Sequence, residues 1–420
     1  MAVLDRSQAP PFQLSSDYSL SRPDRFQLNG GITLFAFRGL QQEVVKMELI
    51  FDAGKWYEYK LGVGHFTSQM LSKGTLKKNS FQIAEALDSL GAHLEIVPGF
   101  DTVSISLFVL RKNLLTATSI ISEILMGPAF DGGELRLMKE IFLQTLKVNN
   151  EKTSVIATKE IRKVIFGNDH PYGSAVEEAD VKKIEQSDLQ SFFNVHFKLR
   201  SVFLVGRLSD HELGELIKII PLPIGTNQPL RNFESTPGIS HTIAKPDSVQ
   251  SSIRLGKKCL PKSESKVYAE AIMFNHIFGG YFGSRLMKNI REEKGLTYGI
   301  YSSMHHFLKD GFWVIGAEVN QQNAGKATEE IKNEIKRLQD ELVPSDELEI
   351  ARNYFIGSWQ SENSTLFAVA EKIKNIHLWG LSENYYSNLL GYIQEVTPAQ
   401  IQRIANDQFD AGELIEIQVG

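Results

Sequence analysis

Cysteine, long apolar runs and an excess of positive charge are nearly absent from this sequence. The 420 residues contain one cysteine, Cys259, which excludes an internal disulfide bond and a metal cluster held by thiolates. No apolar run approaches the length that spans a bilayer, so we expect no membrane span. The net charge of −5 argues against nucleic acid as a partner. What remains is a globular composition, with 42% hydrophobic and 23% charged residues.

The N-terminal residues carry no evident targeting pattern. Residues 1–20 have no basic region followed by an apolar core, which argues against a secretory signal. Acidic and basic residues are mixed over residues 1–25, unlike an amphipathic transit peptide. We therefore predict a cytoplasmic protein with an extended polar arm over residues 1–25, although a processed precursor would look the same.

Several catalytic motifs are also missing. The glycine-rich stretch 278–283 is not followed by Gly-Lys-Ser/Thr, so its glycines are better interpreted as helix ends than as a phosphate loop. There is no Gly-x-Ser-x-Gly elbow. His305 and His306 are adjacent in a predicted strand and should point to opposite faces, which argues against a shared metal. Neighbouring lysines could lower the pKa of Cys259, but a packed core thiol explains this residue equally well.

The predicted elements occur in a similar order twice, which suggests two similar halves. Residues 80–90 predict a helix with Ser80 as N-cap, which ends at Gly91 and leads into two strands. Residues 283–294 predict a helix that ends at Gly295 and also leads into two strands. Each half continues with long helices and closes with a short capped helix and a strand. We predict an α+β fold built from two duplicated units of about 200 residues each.

Prolines are concentrated between the two halves. Five of them fall between residues 221 and 247, where no periodic hydrophobic pattern is present. We therefore divide the chain into an N-terminal domain (1–225), a linker (226–247) and a C-terminal domain (248–420).

The stretch GVGHFTSQMLSKGT, residues 62–75, predicts a helix with an altered metal motif. His65, Ser68 and Gln69 are spaced so that they share one helix face. A zinc motif H-x-x-E-H needs two histidines as ligands and a glutamate as the base on that face. Here the first histidine is present, but a serine hydroxyl replaces the base and a neutral amide, a poor zinc ligand, replaces the second histidine.

A second informative stretch, FGGYFGSRLMKNIREEKGLTYGIY, spans residues 278–301. Arg291 and Tyr298 lie on either side of a helix end and the Gly295 turn. A guanidinium with fixed donors and a phenol hydroxyl together suit the stabilisation of a developing oxyanion. An exposed helix arginine and a core strand tyrosine would be the alternative interpretation.

Both stretches resemble the pitrilysin/insulinase family of zinc metallopeptidases, which includes the mitochondrial processing peptidases. The resemblance runs from about Arg25 to Gly420 and implies two pitrilysin-like domains, each a mainly antiparallel sheet with helices packed on one face. It implies that Arg291 and Tyr298 bind substrate. It also implies a third metal ligand some seventy residues after the zinc helix, for which Glu140 is the best match and Glu151 the second.

The resemblance implies the fold but not the catalysis. His65 and Glu140 supply two ligands, fewer than a catalytic zinc site needs, so we expect no metal on this chain. We expect a non-catalytic subunit that forms a heterodimer with a zinc-bearing homologous subunit and helps it cleave a peptide substrate. Two alternatives stay open: a structural homologue like the core proteins of the cytochrome bc complex, and an active metallopeptidase with an atypical metal site.

Overall fold

A computed structural model describes residues 18–39, 42–222, 225 and 231–420. Most of the predicted N-terminal arm and part of the predicted linker lie outside these residues. The first described residue, Tyr18, is buried against the C-terminal half, and its hydroxyl accepts a hydrogen bond of 2.5 Å from Gln394 Nε2. The start of the described chain is therefore attached to the second half of the fold.

The N-terminal half is built on a six-stranded sheet with the order β1-β2-β6-β3-β5-β4. Only β2 and β6 are parallel to each other; the other neighbours are antiparallel. The strands are β1 (Asp24–Gln27), β2 (Thr33–Phe37), β3 (Val44–Phe51), β4 (His93–Pro98), β5 (Val103–Leu110) and β6 (Leu199–Val205). The helices are α1 (Val63–Met70), α2 (Ser80–Ser89), α3 (Leu114–Met126), α4 (Gly132–Asn150), α5 (Thr153–Phe166), α6 (Glu178–Lys183), α7 (Gln186–His196) and α8 (Asp210–Ile219).

The C-terminal half is built on a five-stranded sheet with the order β7-β11-β8-β10-β9. Its strands are β7 (His241–Ile243), β8 (Gln250–Lys258), β9 (Thr297–His306), β10 (Gly311–Asn320) and β11 (Ile415–Val419). Its α-helices are α9 (Lys266–Asn275), α10 (Ala324–Asp340), α11 (Ser345–Glu362), α12 (Leu366–Trp379), α13 (Tyr385–Glu395) and α14 (Pro398–Gln408). Two short π-helical segments, His276–Gly280 and Met287–Glu293, follow α9.

The two sheets have the same topology, which confirms the predicted duplicated α+β fold. From β2 to β4 in the first sheet and from β7 to β9 in the second, the strands follow one another in equivalent order, with one parallel pair in each. The parallel strand of the second sheet, β7, lies inside residues 226–247, which the sequence predicted as a linker. That segment therefore contributes an edge strand to the second sheet as well as joining the halves.

Each half contributes a helix to the sheet of the other half. The inward side chains of β3 pack with the helices of their own half, whereas Phe35, Phe203 and Val205 on the opposite face pack into the core of the C-terminal half. On this face, α12 of the C-terminal half packs against β6 of the first sheet. In the reverse direction, α5 lies against β8 and β11 of the second sheet. Both faces of each sheet are therefore covered, one of them by the other half.

A buried charge cluster holds α12 on the first sheet. Glu48 of β3 is 3% exposed and accepts hydrogen bonds from Lys374 Nζ at 2.7 Å and Ser104 Oγ at 2.6 Å. Lys46 pairs with Glu48 at 2.8 Å and with Glu371 of α12 at 2.7 Å. These cations outweigh the effect of burial and lower the pKa of Glu48 to about 2.

One predicted helix cap was wrong by a residue. The side chain of Asn79, not Ser80, accepts the backbone N–H of Gln82 at 2.9 Å, and the Gln82 side chain accepts the N–H of Asn79 at 3.1 Å. The Ser80 hydroxyl instead donates to Glu134 at the start of α4. Asn and Ser are both strong caps, so their adjacency left the choice open.

Candidate functional site

The N-terminus of α1 is capped by a buried carboxylate that the sequence analysis missed. Glu58 accepts the backbone N–H of Gly62 at 2.8 Å and of Gly64 at 2.9 Å. Burial raises the pKa of Glu58 to about 7, although these backbone donors act in the opposite direction. An acidic residue just before a predicted helix start was the available signal, because carboxylates favour that end of the helix dipole.

The three motif positions of α1 are engaged in local contacts. The buried Ser68 hydroxyl donates to the Gly64 carbonyl of its own helix at 2.6 Å. Gln69 Nε2 donates to the carbonyl of Ile96 in β4 at 2.9 Å. The half-buried His65 ring lies 5.1 Å from the ring of Phe142, and burial lowers its pKa. Ser68 thus forms a hydrogen bond within α1, and Gln69 forms one between α1 and the edge strand β4.

The carboxylate proposed as the third ligand faces another part of the surface. Glu140 is exposed on α4 and lines a groove between α4 and α5, whereas His65 lines a neighbouring cavity. The runner-up, Glu151, pairs with Lys245 at 3.1 Å. Within the described ranges, no three His, Cys, Asp or Glu side chains are grouped so that they could hold a metal. These donors do not fit a catalytic zinc ion.

The cavity beside His65 has a volume of about 420 Å³. Its floor includes Lys55 before α1 and Phe100 in the β4–β5 turn, and its wall includes Arg162 of α5. The Lys55 ammonium and the Arg162 guanidinium lie 5.5 and 5.1 Å from the centre of the Phe100 ring. The position that binds metal in an H-x-x-E-H helix therefore borders a cavity lined by cations and apolar side chains.

Arg291 and Tyr298 lie at an exposed corner of the C-terminal half. Arg291 is in the π-helical segment, and its guanidinium lies 4.7 Å above the ring of Phe282. After the Gly295 turn, where φ is +60°, Tyr298 is the second residue of the edge strand β9 and has 95% of its surface exposed. The described contacts include no hydrogen bond between the two side chains. The expectation of a core strand tyrosine does not hold at this position.

Three further residues from the sequence can now be placed. His305 stacks on Phe312 at 5.0 Å, whereas the His306 ring lies 3.8 Å from Cys259 Sγ, so the adjacent histidines face opposite ways as predicted. Burial raises the pKa of Cys259 to about 12, so the expected influence of its basic neighbours does not produce a reactive thiolate. None of the three lines the α1 cavity.

Two family models match most of the chain. Residues 36–179 match the model described as "Insulinase (Peptidase family M16)", and residues 183–355 match the "Peptidase M16 inactive domain". The chain belongs to the insulinase family of M16 peptidases. This M16 chain is 26% identical over 396 residues to an uncharacterized zinc protease of Rickettsia bellii, covering 92% of this chain and 94% of the relative. It is 24% identical over 348 residues to a non-peptidase homolog, YmxG, of Helicobacter pylori, covering 81% and 80%.

Solved structures confirm the M16 fold. A structure from Pseudomonas fluorescens described as a peptidase M16 inactive domain has a TM-score of 0.85 and 22% identity, covering 95% of this chain and 98% of that one. A chain of Complex III2 from Candida albicans has a TM-score of 0.76 and 15% identity, covering 94% and 95%. No helix within the described ranges of this M16 chain is long and apolar enough to cross a membrane.

Proposed function

We propose that this chain is the non-catalytic subunit of an M16-type peptidase and works with a zinc-bearing homologous subunit. The partner supplies the metal and the base, and this chain supplies Arg291 and Tyr298 to the bound peptide. The observation that carries the proposal is the contrast between the motif positions of α1, engaged in local contacts, and Tyr298, exposed at a sheet edge next to the helical segment of the half-buried Arg291. A cytoplasmic location also stays a prediction.

The position of the pair supports a role toward another surface. Tyr298 and His305 are seven residues apart in β9, a separation of roughly 23 Å at 3.3 Å per residue. His305 is close enough to Arg162, beside the α1 cavity, for the guanidinium to lower its pKa in addition to the main effect of burial. The Arg–Tyr pair is therefore well separated from the altered motif of its own chain. Its guanidinium and phenol groups can donate hydrogen bonds to the oxygen of a reacting carbonyl only if a second protein surface places a substrate beside them.

The test is a reconstitution with a homologue from the same genome that has an intact H-x-x-E-H motif. We expect a stable complex in size-exclusion chromatography and chelator-sensitive cleavage of an unstructured peptide by the mixture. This chain alone should cleave nothing. Chelator-sensitive cleavage by the isolated chain would instead support the atypical metallopeptidase.

A structural role is the second candidate, favoured by the fold similarity to a chain of Complex III2. A scaffold would bind partners without using Arg291 or Tyr298 in a reaction. If the mixture forms a complex whose cleavage rate is the same with Arg291→Ala or Tyr298→Phe, this candidate replaces the first.

A further inference from the structure

The cavity beside α1 has an excess of positive charge. Three cationic side chains, Lys55, Lys159 and Arg162, line it together with one carboxylate, Glu58. Glu58 already accepts the N–H groups at the start of α1, so it is held at the helix end. Of the three cations, Lys159 is occupied by the side-chain oxygen of Asn150 at 3.0 Å.

Arg162 is half-buried and lacks the anionic partner that an enclosed guanidinium normally has. Its Nε is buried and has no hydrogen-bond acceptor, and across the described residues no carboxylate forms an ion pair with the guanidinium. Burial lowers the pKa of Arg162, which expresses the cost of keeping the charge there. Among the described residues, the contact found for the Arg162 guanidinium is with the face of the Phe100 ring. Buried cations are normally paired with an anion, so an anion is the missing component.

Lys55 lies beside the same aromatic ring and adds to this positive charge. Its ammonium donates to the carbonyl of Ser174, but no ion pair joins it to Glu58 within the described chain. The pKa of Lys55 is lowered to about 8, mainly by burial, with the charge of Arg162 adding to this effect and Glu58 opposing it. Two cations that share one ring and repel each other would both be stabilised by one anionic group between them.

Most of the remaining lining is apolar, although His65, Thr145, Asn149 and Ser174 also border the cavity. Its walls include Pro98 and Phe100 from the β4–β5 turn, Phe142 and Leu146 from α4, and Val176 from the loop before α6. A volume of about 420 Å³ is within the range of small-molecule sites and is far larger than an inorganic anion needs. The apolar walls therefore fit a carbon skeleton attached to the anionic group.

We propose that this cavity binds a monocarboxylate with an apolar body, with Arg162 and Lys55 holding the carboxylate and the walls holding the body. The carboxylate belongs either to a small organic acid or to the C-terminus of a peptide that ends in an apolar residue. The site lies within one chain and needs neither a metal nor a partner subunit, so its failure would leave the proposed peptidase role untouched.

Calorimetric titration of the full chain tests the site and separates the two sources. The probes are 3-phenylpropionate and an N-acetylated dipeptide ending in phenylalanine, each beside its uncharged amide. We expect at least one acid to bind and its amide to bind at least tenfold more weakly, because a charge-assisted hydrogen bond contributes more than the roughly 1.4 kcal/mol of a tenfold change. Binding of the dipeptide alone identifies a peptide C-terminus, and binding of 3-phenylpropionate identifies a small acid.

Two variants locate the binding. Arg162→Met should weaken the acid at least tenfold, whereas Lys163→Gln, which changes the next cation on α5, should leave its affinity within twofold. Lys163 is 44% exposed and pairs with Glu160 outside the cavity, so it is a matched control. In the absence of ligand, Arg162→Met should raise the thermal midpoint, because it removes a buried charge without a partner.

Three results would overturn the proposal. The first is that neither acid gives binding heat at millimolar concentration. The second is that an acid and its amide bind with equal affinity. The third is that Arg162→Met and Lys163→Gln weaken binding of the acid equally. A lower thermal midpoint for ligand-free Arg162→Met would also count against it, since Arg162 would then stabilise the chain by itself.

Discussion

The start of α1 and the Arg291–Tyr298 corner differ in where their side chains find partners. At α1, Ser68 is fully buried and bonded to its own helix, and Gln69 is bonded to β4. At the corner, Tyr298 is 95% exposed, and the Arg291 guanidinium lies over the exposed ring of Phe282. The motif positions of α1 are therefore enclosed by the fold, whereas the Arg291–Tyr298 corner is accessible from outside. An altered motif in one half of a duplicated chain is therefore compatible with an accessible polar corner in the other half.

Introducing the same charge into both regions should give the largest difference. Ser68→Glu places a carboxylate where no water reaches and should lower the free energy of unfolding by about 3 kcal/mol. Tyr298→Glu, at the exposed strand end, should change it by less than about 0.5 kcal/mol. Urea unfolding followed by circular dichroism measures both. Equal losses in the two variants would show that position 68 is open to solvent.

The Arg–Tyr corner should matter only in the assembled peptidase. Arg291→Ala or Tyr298→Phe should slow peptide cleavage by the complex by about a hundredfold, the usual effect of losing one preorganised oxyanion donor. Lys288→Ala removes an exposed cation from the same helical segment and is the control. Size-exclusion chromatography must give the same complex for all three variants. Rates that match the wild type would assign the corner to structure.

Of these two regions, the one around α1 should make stability depend more strongly on pH. The pKa of Glu58 is raised to about 7, so the folded state keeps a proton that the unfolded state releases from about pH 4.5. The contribution of Glu58 to stability should therefore fall between pH 4.5 and 7, whereas His276 and His306, whose pKa values burial lowers to about 4, contribute in the opposite direction. The pKa of Lys55 is lowered to about 8 from its ordinary value of 10.5, so between these two pH values the unfolded state binds more protons and stability should rise with pH.

Glu58→Gln tests the dependence of stability on pH between pH 4.5 and 7. The variant should remove roughly 1–3 kcal/mol of the fall between pH 4.5 and 7. Glu177→Gln, which changes an exposed carboxylate that caps α6, should leave the profile unchanged. Thermal midpoints at half-unit pH intervals measure both. A Glu58→Gln profile that runs parallel to the wild-type profile over this window would place Glu58 in contact with water.

The smallest effect is expected from His65 on metal content. Protein purified without a metal-affinity tag should contain far less than one zinc per chain, because one histidine and a distant carboxylate are too few ligands. Elemental analysis before and after His65→Ala should therefore give the same value. About one zinc per chain that disappears in the variant would make α1 a working metal site.

Local patterns in the sequence predicted both regions but not their surroundings. The spacing of His65, Ser68 and Gln69 placed them on one helix, and the Gly295 turn placed Arg291 and Tyr298 across a helix end. The spacing could not show that Glu58 caps α1, or that Arg162 meets Lys55 over one ring. Those contacts join residues more than a hundred positions apart or depend on burial, which periodicity does not record. For the same reason the short strand β7 was taken as linker.

The exchange of helices between the halves affects how the chain emerges during synthesis. The outer face of the first sheet, with Phe35, Phe203 and Val205, is complete once β6 is made, but its cover α12 begins at Leu366. At roughly 5–20 residues per second, about 160 further residues take on the order of 10–30 s. During that interval the nascent sheet presents an apolar face to the cell. A ribosome stalled before Leu366 should therefore expose a surface suited to chaperone capture, which the finished chain hides.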